Sequence, residues 1–239
     1  MNQAVDEKTA DERIYKTLLD VIHDPVFPEI DLALRGGRQI GPENLEEHAF
    51  IERAGTFLEG FYARYGCRVA CTSESVYYLV DDQGILPSRI MTVPEMLVGE
   101  VLALLLMSSE GLSEGGQIAV SRVLEVLEEL VTPHERLVQV MVKGRRAGKN
   151  PAIDAQRVRE SVGVALHRLS QLGFVECIDG FLFPRRAILR FTDPVRLDDD
   201  PRVGLQRLVA AGGVALPVVE AEPAADNGNN EEMDGDDDA

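Results

Sequence analysis

Between positions 143 and 168 the chain carries seven basic side chains, Lys143, Arg145, Arg146, Lys149, Arg157, Arg159 and Arg168, opposed only by Asp154 and Glu160. Four of the seven lie in the glycine-broken stretch KGRRAGKN, directly ahead of a helical pattern. Such a loop suits phosphate, because the free N–H groups and the dipole of a helix N-terminus add to the side-chain charge. The chemistry on offer is contact with a nucleic-acid backbone, and these seven residues are the candidate DNA-binding set. GRRAGKN is not a nucleotide-phosphate loop. It is one residue short of G-x-x-x-x-G-K, Asn150 stands where Ser or Thr is required, and Pro151 follows.

No other stretch offers reactive groups in a usable arrangement. His23, His48, His134 and His167 are scattered, with no H-E-x-x-H and no nucleophile elbow. His48, near the start of a helical pattern, reads as a polar surface or packing residue. The pairs Glu46-Glu47 and Glu128-Glu129 read as solvated helix surface. Cys67 and Cys71 have ligand-like spacing, but no second His or Cys pair accompanies them, so neither a metal site nor a cofactor is expected. Cys177 is the third cysteine, and the three together fit a reducing compartment without a disulfide framework. The expectation is a protein that is not an enzyme.

The elements that must position the basic set follow from periodicity. Val158, Val162, Ala165, Leu166, Leu169 and Leu172 form one stripe of a helix within Asp154 to Leu172, with Gly173 as its C-cap. Two short apolar runs then flank Asp179-Gly180, a strong two-residue hairpin signal. A long helix running directly into a hairpin is the second half of a winged helix. On this helix Arg157 and Arg168 share one flank about 16 Å apart. Its outermost line holds Glu160 and His167, which favours backbone contact over base reading.

The same order occurs earlier. Short helices over residues 11–23 and 28–34 precede a long helix from Pro42 to Tyr65, striped by Phe50, Ala54, Phe57, Leu58 and Phe61. A hairpin follows, from Arg68 to Thr72 and from Val76 to Val80. The two stripes share their spacing and start 108 residues apart. In the second part Val93 to Met107 forms an apolar helix with Pro94 in its first turn, Gln117 to Val120 is extended, and Ser121 caps a helix from Arg122 to Val131. Thr132-Pro133 opens another helix ending near Val142. A last helix runs from Asp200 to about Ala211.

The fold class is therefore mainly α with small β-hairpins, as tandem winged-helix domains. The expected bounds are 11–90, 91–216 with the basic loop, and an acidic tail over 217–239 that lacks the apolar residues to order itself. The tail holds nine of the 41 acidic residues and no basic one, so the preceding residues carry 24 basic against 32 acidic side chains. An acidic body argues against coating DNA by bulk charge and allows contact through a local patch. The tail reads as a solubilising end, with competition for the basic cluster as the sharper alternative. A charged N-terminus and the absence of an apolar run near 20 residues exclude a signal peptide and a membrane span, so the expected location is cytoplasmic.

Several motifs carry a resemblance. FPEIDLALRGGRQIG (Phe27 to Gly41), LEEHAF (Leu45 to Phe50), FLEGFYARYG (Phe57 to Gly66), ILPSR (Ile85 to Arg89), MLVGEVL (Met96 to Leu102), RLSQLGFV (Arg168 to Val175) and RFTDPVRLDDDPR (Arg190 to Arg202) occur in order. Together with the acidic tail, they make the chain similar to the MukE family. That resemblance implies a kite-type, tandem winged-helix subunit of a bacterial condensin, homodimeric through its first domain and associated with the nucleoid. It would bind the kleisin MukF and, through it, the SMC ATPase MukB, which carries the ATP hydrolysis. It would also help to clamp DNA without sequence preference during chromosome condensation and segregation. Ser170 and Gln171 stand where the family pattern has arginines, which moves the expected DNA contact toward the Lys143–Lys149 loop and Arg157. The alternatives are a stand-alone winged-helix transcription regulator and a pure assembly scaffold.

Overall fold

Thr17 and Asp20 close the start of the first helix reciprocally. The Thr17 backbone N–H donates to the Asp20 carboxylate at 2.8 Å, and the Asp20 N–H donates to Thr17 Oγ1 at 3.3 Å. The structure, a computed structural model, describes residues 14–86, 90–108, 116–131, 134–142 and 150–192. Among these, α1 (Leu18–Ile22), α2 (Phe27–Arg35) and α3 (Leu45–Ala63) lead into the antiparallel pair β1 (Cys67–Cys71) and β2 (Tyr77–Asp81). Then come α4 (Val93–Met107), β3 (Ile118–Ala119), α5 (Val120–Leu130), α6 (His134–Met141) and α7 (Pro151–Gln171). The strands β4 (Val175–Ile178) and β5 (Phe181–Pro184) and a 3-10 helix over Arg186–Thr192 follow. The mixture of helices and small antiparallel sheets is the one expected. The expected helix from Asp200 and the acidic tail lie outside the described residues.

Two hydrophobic cores organise these elements. Around α3 gather Val21, Phe27, Ile30, Leu34, Ile40, Phe50, Ile51, Ala54, Leu58, Tyr62 and Cys67. The expected stripe is rotated slightly, since Phe57 and Phe61 are only partly buried while Ile51 and Tyr62 go inside. Tyr62 can do so because its hydroxyl donates to Asp31 at 3.0 Å, so the polar tip is satisfied within the protein. Pro42 does not open α3; the helix starts at Leu45, after a turn in which the Asn44 N–H donates to the Gly41 carbonyl. His48 is a packing residue, buried, with its Nε2–H donating to the Ser75 carbonyl at 2.8 Å and its ring tilted against the Tyr77 ring. Glu47 is not simply solvated, because Arg38 pairs with it at 3.3 Å.

The second core is built around α4, in which every residue from Glu95 to Ala103 is buried. A helix covered on all sides must be apolar all round, and its sequence complies except at Glu95 and Glu100. Thr92 caps it, with the Thr92 N–H donating to Glu95 at 2.6 Å. It packs against α7, the 3-10 helix, α5 and α6. At Gly99 the Phe191 ring lies so close that a Cβ would stand 2.6 Å from ring carbons. Ser121 does not cap α5. The chain passes from β3 straight into the helix with Ala119 at the cap, and Glu125 pairs with Arg122 at 3.2 Å instead.

β3 joins the second hairpin to make the sheet order β3-β5-β4, all antiparallel, with Ile118 opposite Leu182. At the first hairpin a single bridge between Ile40 and Tyr77 occupies the corresponding place ahead of α3. The hairpin turn at Asp179 and Gly180 has positive φ at both residues, as that dipeptide favours.

Candidate nucleic-acid interface

The candidate interface is carried by α7, which begins at Pro151, about one turn ahead of the expected start at Asp154. Asn150 accepts from the Ala152 N–H at 3.1 Å, and Pro151 occupies the first turn, where its missing N–H is no loss. The far end closes through Gly173 in the left-handed region. The Phe174 N–H donates to the Leu169 carbonyl at 2.9 Å and the Gly173 N–H to the Ser170 carbonyl at 3.0 Å, which satisfies two of the last carbonyls. Val158, Val162, Ala165, Leu166 and Leu169 are buried as expected. Ser161 ties the middle of the helix to α6 by donating to the Met141 carbonyl at 2.7 Å.

The three described arginines of the candidate set do not form one patch. At 100° per residue, Arg157 and Arg168 stand about 20° apart around the axis, and Arg159 lies roughly 160–180° from both. Arg157 is committed in part to Asp154, at 3.3 Å; that carboxylate is buried in the first turn of the helix. Arg168 donates to Gln171 at 3.2 Å. Arg159 is exposed and has no side-chain partner among the described residues. Lys143, Arg145, Arg146 and Lys149 lie outside the described residues.

Between the two flanks runs the outermost line, Ile153, Gln156, Glu160, Val164, His167 and Gln171, all exposed. Its polar groups bond to each other, Gln156 to Glu160 at 3.1 Å and Gln171 with His167 at 3.0 Å. This line holds no arginine or lysine. A helix presenting it to a groove would offer guanine no bidentate donor, while its flanks could still meet phosphates.

Further arginines follow the second hairpin. Arg185 bonds to Asn44 at 3.0 Å and lies 3.4 Å from Glu176, Arg190 stacks on Tyr78 at 3.8 Å, and the Arg186 side chain is exposed. The signal was available in the sequence, since Gly180 to Thr192 holds three arginines and no acid. A cleft of about 210 Å³ lies between the two cores, lined by Arg35, Arg168 and Arg190 with Asp81 and Glu95. Cys67 is buried, and burial pushes its thiol above the usual range; Cys71 and Cys177 are exposed. Among the described residues no group of His, Cys, Asp and Glu could hold a metal ion, and no helix is long and apolar enough to cross a membrane.

Comparison with known proteins places these features in a family. The MukE-like family matches residues 14–239. The chain is 34% identical over 206 residues to the chromosome partition protein MukE of Escherichia coli O157:H7, covering 84% of this chain and 89% of that protein. It is 35% identical over 222 residues to the MukE of Haemophilus ducreyi, covering 89% and 91%. With the MukE of Mannheimia succiniciproducens it shares 32% over 228 residues, covering 93% of each.

Proposed function

Because the chain belongs to the MukE-like family, we propose that it is a non-catalytic subunit of a bacterial condensin, working in chromosome partition. In this reading the helix–hairpin units around the two cores are winged helices, in domains spanning about residues 11–90 and 91–216. The three-stranded order β3-β5-β4 supports it, because a strand ahead of the long helix pairs with the returning strand of the wing. The single bridge of Ile40 to Tyr77 supports the same arrangement in reduced form for the first unit. The protein binds a kleisin, MukF, and reaches the SMC ATPase MukB through it. It pairs with a second copy of itself and works in the cytoplasm at the nucleoid.

Its contact with DNA is to phosphate and without sequence preference. The observation that carries this is the solvent line of α7, which has no arginine or lysine, between flanks that hold Arg157, Arg159 and Arg168. The KGRRAGKN loop, with Lys143, Arg145, Arg146 and Lys149, supplies the remaining charge. Contact of this kind loses affinity steeply with salt, because neutralised phosphates release counterions.

The test uses the complex with its kleisin and ATPase. Replacing Lys143, Arg145, Arg146 and Lys149 together by Glu should abolish salt-sensitive DNA retention while the complex still assembles. Unchanged retention would leave the subunit as an assembly scaffold. A preferred operator that survives excess random DNA would instead make it a regulator.

A further inference from the structure

The short segment Gln39–Ile40 is bonded to both cores at once. In extended backbone, successive N–H groups point to opposite sides. Here the Gln39 N–H donates to the Leu172 carbonyl at the end of α7, at 2.8 Å. The next residue turns the other way, and Ile40 exchanges two backbone hydrogen bonds with Tyr77 of the first hairpin, at 2.9 and 2.8 Å.

Side chains extend this seam. The buried Gln39 carboxamide accepts from Arg190, and the Arg190 guanidinium carbon lies over the Tyr78 ring, 3.8 Å from its centroid. Asn44 accepts from Arg185 at 3.0 Å, and Glu43 accepts from the Arg186 N–H at 3.0 Å. Val76 in the first hairpin is fully buried within the second core, not the first. At Gly173 the backbone has φ +78, and a Cβ there would collide with the Gln39 carbonyl oxygen.

From this geometry we infer that Gln39, Gly173 and Arg190 form a latch that fixes the two cores as one rigid body. The latch sets the angle at which α7 and the second hairpin are presented relative to the first core. Three kinds of contact share the task, namely a main-chain bond, a buried amide–guanidinium–ring stack, and a close approach that only glycine permits. The inference does not depend on the proposed function, because it concerns only contacts within one chain.

Nitroxide labels on the two exposed cysteines, Cys71 in the first hairpin and Cys177 in the second, read the coupling directly. The labelled full-length chain is diluted into excess unlabelled protein so that only distances within one chain are measured. A single narrow distance is expected. In Gln39→Ala/Arg190→Ala the narrow peak should be lost to a broad distribution, while the helical circular dichroism is retained. Gly173→Ala should broaden it likewise if it folds; the double variant decides the matter if it does not. A broad distribution in the unsubstituted chain, or a narrow unshifted peak in the folded double variant, overturns the latch.

Discussion

Phe191 fills the space where a side chain on Gly99 would begin, with its ring carbons 2.6 Å from the Cβ position. The ring is itself held edge-on by Phe174 at 4.9 Å, so it has no room to retreat. Gly99→Ala should therefore destabilise the second core by roughly 1–3 kcal/mol, the usual range for overpacking. Phe191→Ala should remove about 3–5 kcal/mol. Denaturant midpoints of the two variants check both values, and a Gly99→Ala midpoint equal to the parent's would contradict the close approach.

Glu100 gives the fold a pH dependence. It is buried in the middle of α4, neither carboxyl oxygen has a hydrogen-bond partner among the described residues, and burial pushes its pKa up to about 8. The folded state then holds this proton more tightly than the unfolded state, whose carboxyl titrates near 4.5. The stability linked to this group is fully present below the unfolded value and is lost as pH rises toward 8. Thermal melts should show that loss, on the order of a few kcal/mol at about 1.4 kcal/mol per pKa unit. Glu100→Gln should flatten the profile. Glu100→Leu should raise the melting temperature, most of all at pH 8, because it removes a buried polar group that has no partner among the described residues.

Tyr62, buried in the first core, donates to the partly exposed Asp31 at 3.0 Å. Burial, together with the nearby Asp31 carboxylate, keeps the phenol protonated well above its ordinary range. Arg35 completes the arrangement, 2.8 Å from Asp31 and 4.5 Å above the Tyr65 ring. Tyr62→Phe keeps the ring and removes one donor, so a loss of about 0.5–1.5 kcal/mol is expected in urea unfolding. A loss of 3 kcal/mol or more would mean that the ring packing, not the hydrogen bond, had been disturbed.

Arg157 and Arg159 should separate stability from DNA binding. Arg157→Ala removes a partner of the buried Asp154 and should cost the chain about 1 kcal/mol, allowing for the exposure of the arginine. Arg159→Ala breaks no described contact and should leave the melting temperature unchanged. If the flanks of α7 meet phosphate, Arg159→Ala still weakens DNA retention by the assembled complex and lowers its salt dependence. Equal retention by parent and variant would remove Arg159 from the interface.

The local sequence determined the elements wherever a short-range rule was enough. The 3.6-residue stripe on α7, the Gly173 cap and the Asp179-Gly180 turn were all legible, because each depends on residues within a few positions of one another. Cap positions were less secure. Ser121 satisfied a capping pattern, yet β3 pairing with β5 carried extended backbone up to Ala119, and the helix started before the serine could serve.

Which surfaces the elements would show one another was a tertiary decision. Nothing within a few residues of Gln39 announces that its N–H will meet Leu172 or its amide Arg190, since those partners lie more than 130 residues along the chain. The basic cluster shows the same division. The sequence alone established its charge, and helical spacing put Arg159 on the flank opposite Arg157 and Arg168, while packing buried Asp154 and turned part of Arg157 toward it. Periodicity reports the angle of a side chain around its own axis, and only the folded chain decides what stands at that angle.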